Sequence, residues 1–133
     1  MKVYLDTNVV VSAVATRGLC ADLFHVILAD HELMLGETVL TELRRVLARR
    51  IGLPKETIRE LEAFLRGQAT VVSASPGGPR KRLDPANSRV LAEATTARAD
   101  VFVTGDRELL EVPDSPVEIV SPRGLWERFR STS

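Results

Sequence analysis

Asp6 directly follows the apolar triplet Val3-Tyr4-Leu5, and Asp106 follows Val101-Phe102-Val103 through Thr104-Gly105. Both acids therefore stand just after short β-type runs. Glu42 lies in a helical pattern, with Val39 three residues before it and Val46 four after. It borders the apolar stripe rather than opposing it. A carboxylate at a core margin needs a partner, a metal or water. Asp84 precedes Pro85, and Asn87 comes three residues later on the face that continues through Leu91 and Ala94. Brought into one cleft, these acids would repel and raise one another's pKa unless a cation neutralised them. Hard oxygen ligands select Mg²⁺ or Mn²⁺. Such ions can activate water and stabilise charge developing on a phosphate during in-line attack.

Each residue also has a plainer reading. Asp6 can start a turn and cap the next helix, although Asn8 is placed to do that capping and would free Asp6. Glu42 can be a solvated glutamate paired with Arg45 or Arg49. Asp106 can cap a short helix, with Gly105 allowing the tight turn; capping and metal binding can coexist. Asp84 looks like a structural N-cap, since Pro85 stands at the first helical position.

The elements that must position these residues alternate between short β-type runs and longer helical patterns. That alternation predicts an α/β fold with a mainly parallel sheet. Strands are expected at 3–5, 32–35, 69–73, 101–103 and 117–120. Helices are expected at 9–14, 21–28, 38–50 (ended by Gly52), from Pro54 to near Gly67, from Asp84-Pro85 through Ala97, at 107–110, and from Pro122 onward. The stretch 75–82, Ser-Pro-Gly-Gly-Pro-Arg-Lys-Arg, reads as a loop. Right-handed crossovers would put helices on both faces, and ligands of such sheets sit at the carboxyl ends of the strands.

The chain has 133 residues, read as one domain over 1–133. Its 18 Lys+Arg balance 18 Asp+Glu, so no chain-wide basic footprint for nucleic acid exists. Any such role must come from a specific site. The single cysteine, Cys20, excludes an intrachain disulfide and multi-cysteine metal sites and fits a reducing cytosol. No apolar run approaches the roughly 20 residues that span a bilayer. The start, Met1 to Asp6, carries an early acid and no signal-peptide pattern. A cytoplasmic protein with no membrane partner is expected.

Taken in order, Leu5-Asp6-Thr7-Asn8-Val9, the segment 37–47 with Glu42, Asp84-Pro85…Asn87, and 100–110 with Thr104-Gly105-Asp106 resemble a PIN domain. The similarity is to toxin components of toxin-antitoxin systems, related to VapC-type toxins, and covers essentially the whole chain. It implies a three-layer α/β/α fold with about five mainly parallel strands. It implies a metal-dependent endoribonuclease with one or two Mg²⁺ or Mn²⁺ ions, a cognate antitoxin that blocks the cleft, and a homodimer. Asp6, Glu42 and Asp106 match catalytic, metal-binding acids. Asn8 and Thr104 match supporting polar positions, and Asp100 matches a further acid. Asn87 stands where the family has a third acid; its carbonyl can meet a metal but brings no negative charge and cannot act as a base. Asp84 is the neighbouring candidate ligand.

Arg80, Lys81 and Arg82 read either as RNA-backbone contacts or as a solvated loop. Arg44, Arg45, Arg49 and Arg50 read as helix surface, His25 and His31 as structural, and Cys20 and Trp126 as packing residues. Two other functions stand beside the nuclease. One is a PIN-fold RNA- or partner-binding protein with weakened catalysis through Asn87. The other is a phosphatase with Asp6 as aspartyl nucleophile, but the second aspartate such enzymes place two residues on is here Asn8.

Overall fold

Val3, Tyr4 and Leu5 are all buried, as are Leu33, Met34 and Leu35, and Val101, Phe102 and Val103. Successive strand residues point to opposite faces, so burial of every one means that both faces of the sheet are covered. A computed structural model describes residues 1–73 and 83–131. In it the strands are β1 (Lys2–Leu5), β2 (Glu32–Gly36), β3 (Thr70–Val72), β4 (Val101–Val103) and β5 (Glu118–Val120). All pair in parallel, in the order β3-β2-β1-β4-β5. In register, Val3 faces Leu33 on one side and Val101 on the other. The expected α/β/α architecture with a five-stranded parallel sheet is what the chain adopts.

The helices are α1 (Thr7–Ala15), α2 (Leu19–Asp30), α3 (Glu37–Val46), α4 (Lys55–Gln68), α5 (Pro85–Thr96), α6 (Arg107–Leu110) and α7 (Pro122–Ser131). Packing joins α1 to α2 and α3, α2 to α7, and α3 to α4 and α5. Val39, Leu40 and Leu43 are the buried stripe of α3. Full burial of one such leucine contributes about 1.5–3 kcal/mol. Tyr4 and Phe102, on neighbouring strands, meet edge to face with ring centroids 5.2 Å apart. His31 stacks on Phe129 at 4.5 Å, tying α7 to the end of α2, and Trp126 packs against the core. Among the described residues, no single helix is long and apolar enough to cross a membrane.

Several element boundaries shift by one or two residues, as in α2, expected at 21–28 and observed at Leu19–Asp30, and two differences bear on the site. Helix α1 starts at Thr7, not Val9, because Asp6 leaves β1 in an extended conformation and caps the helix itself, accepting from the Thr7 amide. Asn8 is thus already inside the first turn. The helix expected over 38–50 divides: α3 ends at Val46 and a wider helical turn follows at Leu47–Ile51. Gly52 ends that turn with φ 78°, a left-handed conformation that favours glycine. The loop expected at 75–82 lies outside the described residues.

Candidate active site

From β1 the chain moves outward to β2 and β3, then crosses back to add β4 and β5 on the other side of β1. The connections leaving β1 and β4 diverge, and the crevice between them is where open α/β sheets bind ligands. Asp6 stands at the carboxyl end of β1, and Thr104-Gly105-Asp106 at that of β4.

Thr104 joins the two. It is fully buried. Its hydroxyl donates to Asp6 Oδ2 at 2.6 Å and accepts the Asp106 amide at 3.0 Å. Asp6 is itself buried, with Oδ1 on the Thr7 amide at 2.8 Å. The Thr7 hydroxyl then donates to Glu42 Oε2 at 2.7 Å, which draws α3 into the crevice. Asp106 caps α6 through Oδ1, accepting from the Glu108 amide at 2.9 Å, and its Oδ2 accepts from the Asn87 amide group at 3.1 Å. The row Glu42, Thr7, Asp6, Thr104, Asp106, Asn87 is thus continuous across β1, α3, β4 and α5.

Burial pushes the Asp6 carboxyl above the usual aspartate range. Hydrogen bonds from Thr104 and Thr7 oppose the rise, and the charges of Glu42 and Asp106 add to it. These acids therefore share one electrostatic neighbourhood. Their donor set is oxygen only, which fits a hard divalent cation that keeps several of its waters. Among the described residues, no three Asp, Glu, His or Cys side chains, these acids included, stand close enough together to form a ready metal-holding group.

The other expected residues fall in three places. Asp84 caps α5, taking the Ala86 amide at 2.7 Å, while its own amide donates to Glu108 Oε1 at 2.7 Å. Asn8 is exposed and, among the described residues, makes no hydrogen bond to the acids. Asp100 is at the opposite edge of the sheet. It accepts from the Lys2 amide at 2.6 Å, and its own amide donates to the Lys2 carbonyl at 2.8 Å. Four residues of extended chain, about 13 Å, separate it from Thr104; it clasps β1 to β4 rather than supporting the crevice. Arg80, Lys81 and Arg82 lie outside the described residues.

Three contributors escaped the sequence reading: Thr7, Glu108 and Glu93. Glu93 is buried on α5. It accepts from the Tyr4 hydroxyl and from the Thr38 amide, each at 3.2 Å. It therefore ties α5 to β1 two residues before Asp6 and to α3 four residues before Glu42. Gly36 makes this possible, because a Cβ there would run into the Glu93 carboxylate and the Tyr4 hydroxyl. Burial pushes both the Glu93 and Tyr4 pKa values up.

A family model described as PIN domain matches residues 2–108. The chain belongs to the PIN domain family. That match encloses Asp6, Glu42, Asp84, Asn87 and Asp106 and ends before β5 and α7. No curated protein matches the chain. The PIN fold is also similar to solved toxin-antitoxin structures. VapBC2 from Rickettsia felis, solved with a DNA fragment from the promoter, aligns with TM-score 0.66 at 15% identity, over 91% of this chain and 98% of that one. VapBC-1 from nontypeable Haemophilus influenzae gives 0.65 at 15% identity, over 92% and 99%. FitAcB from Neisseria gonorrhoeae gives 0.60 at 18% identity, over 91% and 98%. At these identities the likeness establishes a shared PIN architecture.

Proposed function

We propose that this PIN domain is a metal-dependent endoribonuclease, the toxin component of a toxin-antitoxin system, acting in the cytoplasm. The observation that supports the reading is the hydrogen-bonded row that links Glu42, Asp6 and Asp106 through Thr7 and Thr104 beside the β1–β4 switch point. Family membership supports nuclease chemistry, and the similarity to the VapBC and FitAcB structures supports an antitoxin partner; the homodimer that the toxin resemblance implies goes with this reading.

Asp6, Glu42 and Asp106 would hold Mg²⁺ or Mn²⁺, with the Asn87 carbonyl or Asp84 at the margin. When bound, such an ion supplies a Lewis acid that lowers the pKa of water and offsets charge on a phosphate. The protein's part is positioning. Thr104 fixes Asp6 and the Asp106 backbone with one hydroxyl, and Thr7 fixes Glu42. Glu93 holds α3 and α5 against β1, so the acids are set before substrate arrives. Arg80, Lys81 and Arg82, shortly before α5 in sequence, would contact the RNA backbone.

The Asn87 position favours a second reading, an RNA- or partner-binding protein with weakened cleavage, because one expected negative charge is replaced by a neutral amide. Cleavage of a labelled RNA panel by metal-stripped protein, with Mg²⁺ or Mn²⁺ restored, tests both. Metal-dependent cleavage that disappears in Asp6→Asn supports the nuclease. Binding without cleavage by the folded chain, under both metals, supports the second reading.

A further inference from the structure

Beside Glu42, between α3 and α5, lies a cleft of about 350 Å³ whose walls include Glu37, Thr41, Arg45 and Arg89. Glu37 is already committed: Arg66 takes both its oxygens, at 2.8 and 2.9 Å. Glu42 is turned toward the crevice by Thr7. Arg45 and Arg89 are exposed, and among the described residues neither guanidinium has a hydrogen bond or an ion pair. They stand on opposite walls, Arg45 one turn after Glu42 on α3 and Arg89 two residues after Asn87 on α5.

This pairing matters because of what surrounds it. The chain has no net charge, and the crevice itself is lined by acids, so a polyanion gains nothing from bulk attraction. It needs cations at the mouth of the site. Guanidinium forks suit phosphate oxygens. The cleft's volume is at the small end for ligand pockets, room for a phosphate and its sugar.

We infer that Arg45 and Arg89 form a phosphate subsite for single-stranded RNA, holding the backbone next to the bond presented to Asp6, Glu42 and Asp106. The inference rests on the nuclease reading and adds the path of the substrate. A second basic depression lies between α3 and α4, but two of its arginines, Arg44 and Arg66, are bound to Glu62 at 2.5 and 3.0 Å. Lys55 and Arg59 remain there as a matched control.

The test is binding of a short, labelled, mixed-sequence single-stranded RNA to the Asp6→Asn protein, measured by anisotropy across a salt series. Backbone contacts carry no sequence information, so a mixed sequence suffices. Arg45→Gln with Arg89→Gln should weaken binding about 10-fold and lower the slope of log K against log salt by about 1.4, the loss of two contacts on a single strand. With Asp6 restored, the same pair should raise KM and leave kcat within about 2-fold, because a contact equal in ground and transition states is lost. Lys55→Gln with Arg59→Gln should change neither. Melting curves confirm that these surface variants fold. Full binding and an unchanged slope in the Arg45/Arg89 variant, with RNA bound by the parent, overturn the subsite and spare the nuclease reading. A loss confined to the Lys55/Arg59 variant does the same and moves the strand to the α3–α4 side. A parent chain that neither binds nor cleaves RNA overturns both.

Discussion

The side-chain nitrogen of Asn87 lies 3.1 Å from Oδ2 of Asp106. It also lies 3.4 Å from Oε1 of Glu108. An amide can donate to both acids; an ionised carboxylate at the same place could donate to neither. Where the resemblance implies a third acid, Asn87 is therefore a structural tie that binds two acids without a cation.

Asn87→Asp should exchange that tie for dependence on a cation. Without metal, the variant should lose about 1–3 kcal/mol of stability as a donor is replaced by a like charge. Added Mn²⁺ or Mg²⁺ should restore it in proportion to occupancy, and RNA cleavage should rise. Paired thermal melts with and without Mn²⁺ read the first effect. Equal metal response in both proteins would place residue 87 outside the ion's reach.

Thr104→Val keeps the side-chain shape and removes the hydroxyl that serves Asp6 and Asp106 together. Loss of a group that orients a metal ligand typically costs about 10–100-fold in metal affinity or activity. Thr104→Ser should recover most of it. Calorimetric Mn²⁺ titration of the three proteins distinguishes lost orientation from lost packing.

The raised Asp6 pKa sets a pH dependence for the metal-free protein. The native state keeps its proton above the ordinary value of 3.8, where the unfolded chain has released it. Stability from this group is therefore fullest below that value and falls as pH rises through the native pKa. Asp6→Asn should flatten this fall. The difference between parent and variant melting temperatures is the quantity to follow, because Glu93, also raised, contributes a fall of the same sign in both. A constant difference from acid to neutral pH would contradict the burial argument.

Gly36→Ala should destabilise the fold by about 1–3 kcal/mol, since the added methyl meets Glu93 and Tyr4 in a packed interior. Glu93→Gln keeps an acceptor for the Thr38 amide and removes a buried charge, so its urea midpoint should stay close to the parent's. Glu93→Ala leaves the Tyr4 hydroxyl and the Thr38 amide without their partner and should cost about 1–3 kcal/mol. A Glu93→Ala midpoint equal to that of Glu93→Gln would show that the clasp contributes little.

Much of this arrangement was legible in the sequence. Uninterrupted apolar triplets marked β1 and β4, and the residues after them fell at the crevice because sheet topology requires it. Asp84-Pro85 announced the start of α5 through cap and ring geometry alone. What the sequence concealed was partner choice. Asp6 and Asn8 are both good caps, and only the tight exit from β1 selects Asp6. Arg45 stands at salt-bridge spacing from Glu42, yet Thr7, thirty-five residues away in sequence, takes it. Asp100 shares the segment of the Thr104 motif but sits across the sheet, since strand direction separates what sequence places close. Glu93 stood unnoticed among Val90, Leu91 and Ala94, although an acid on a buried face was itself a signal.

The position of β1 has a consequence for the order of synthesis. Of the five strands of the sheet, the first made is the middle one, and the hydroxyl that completes the Asp6 site arrives 98 residues later. Until β4 has emerged and docked, β1 has one open side and Asp6 has no Thr104. A nascent or truncated chain carries most of the acids but no assembled crevice. The crevice is withheld from every fragment that stops short of Thr104 and is completed only when β4 docks.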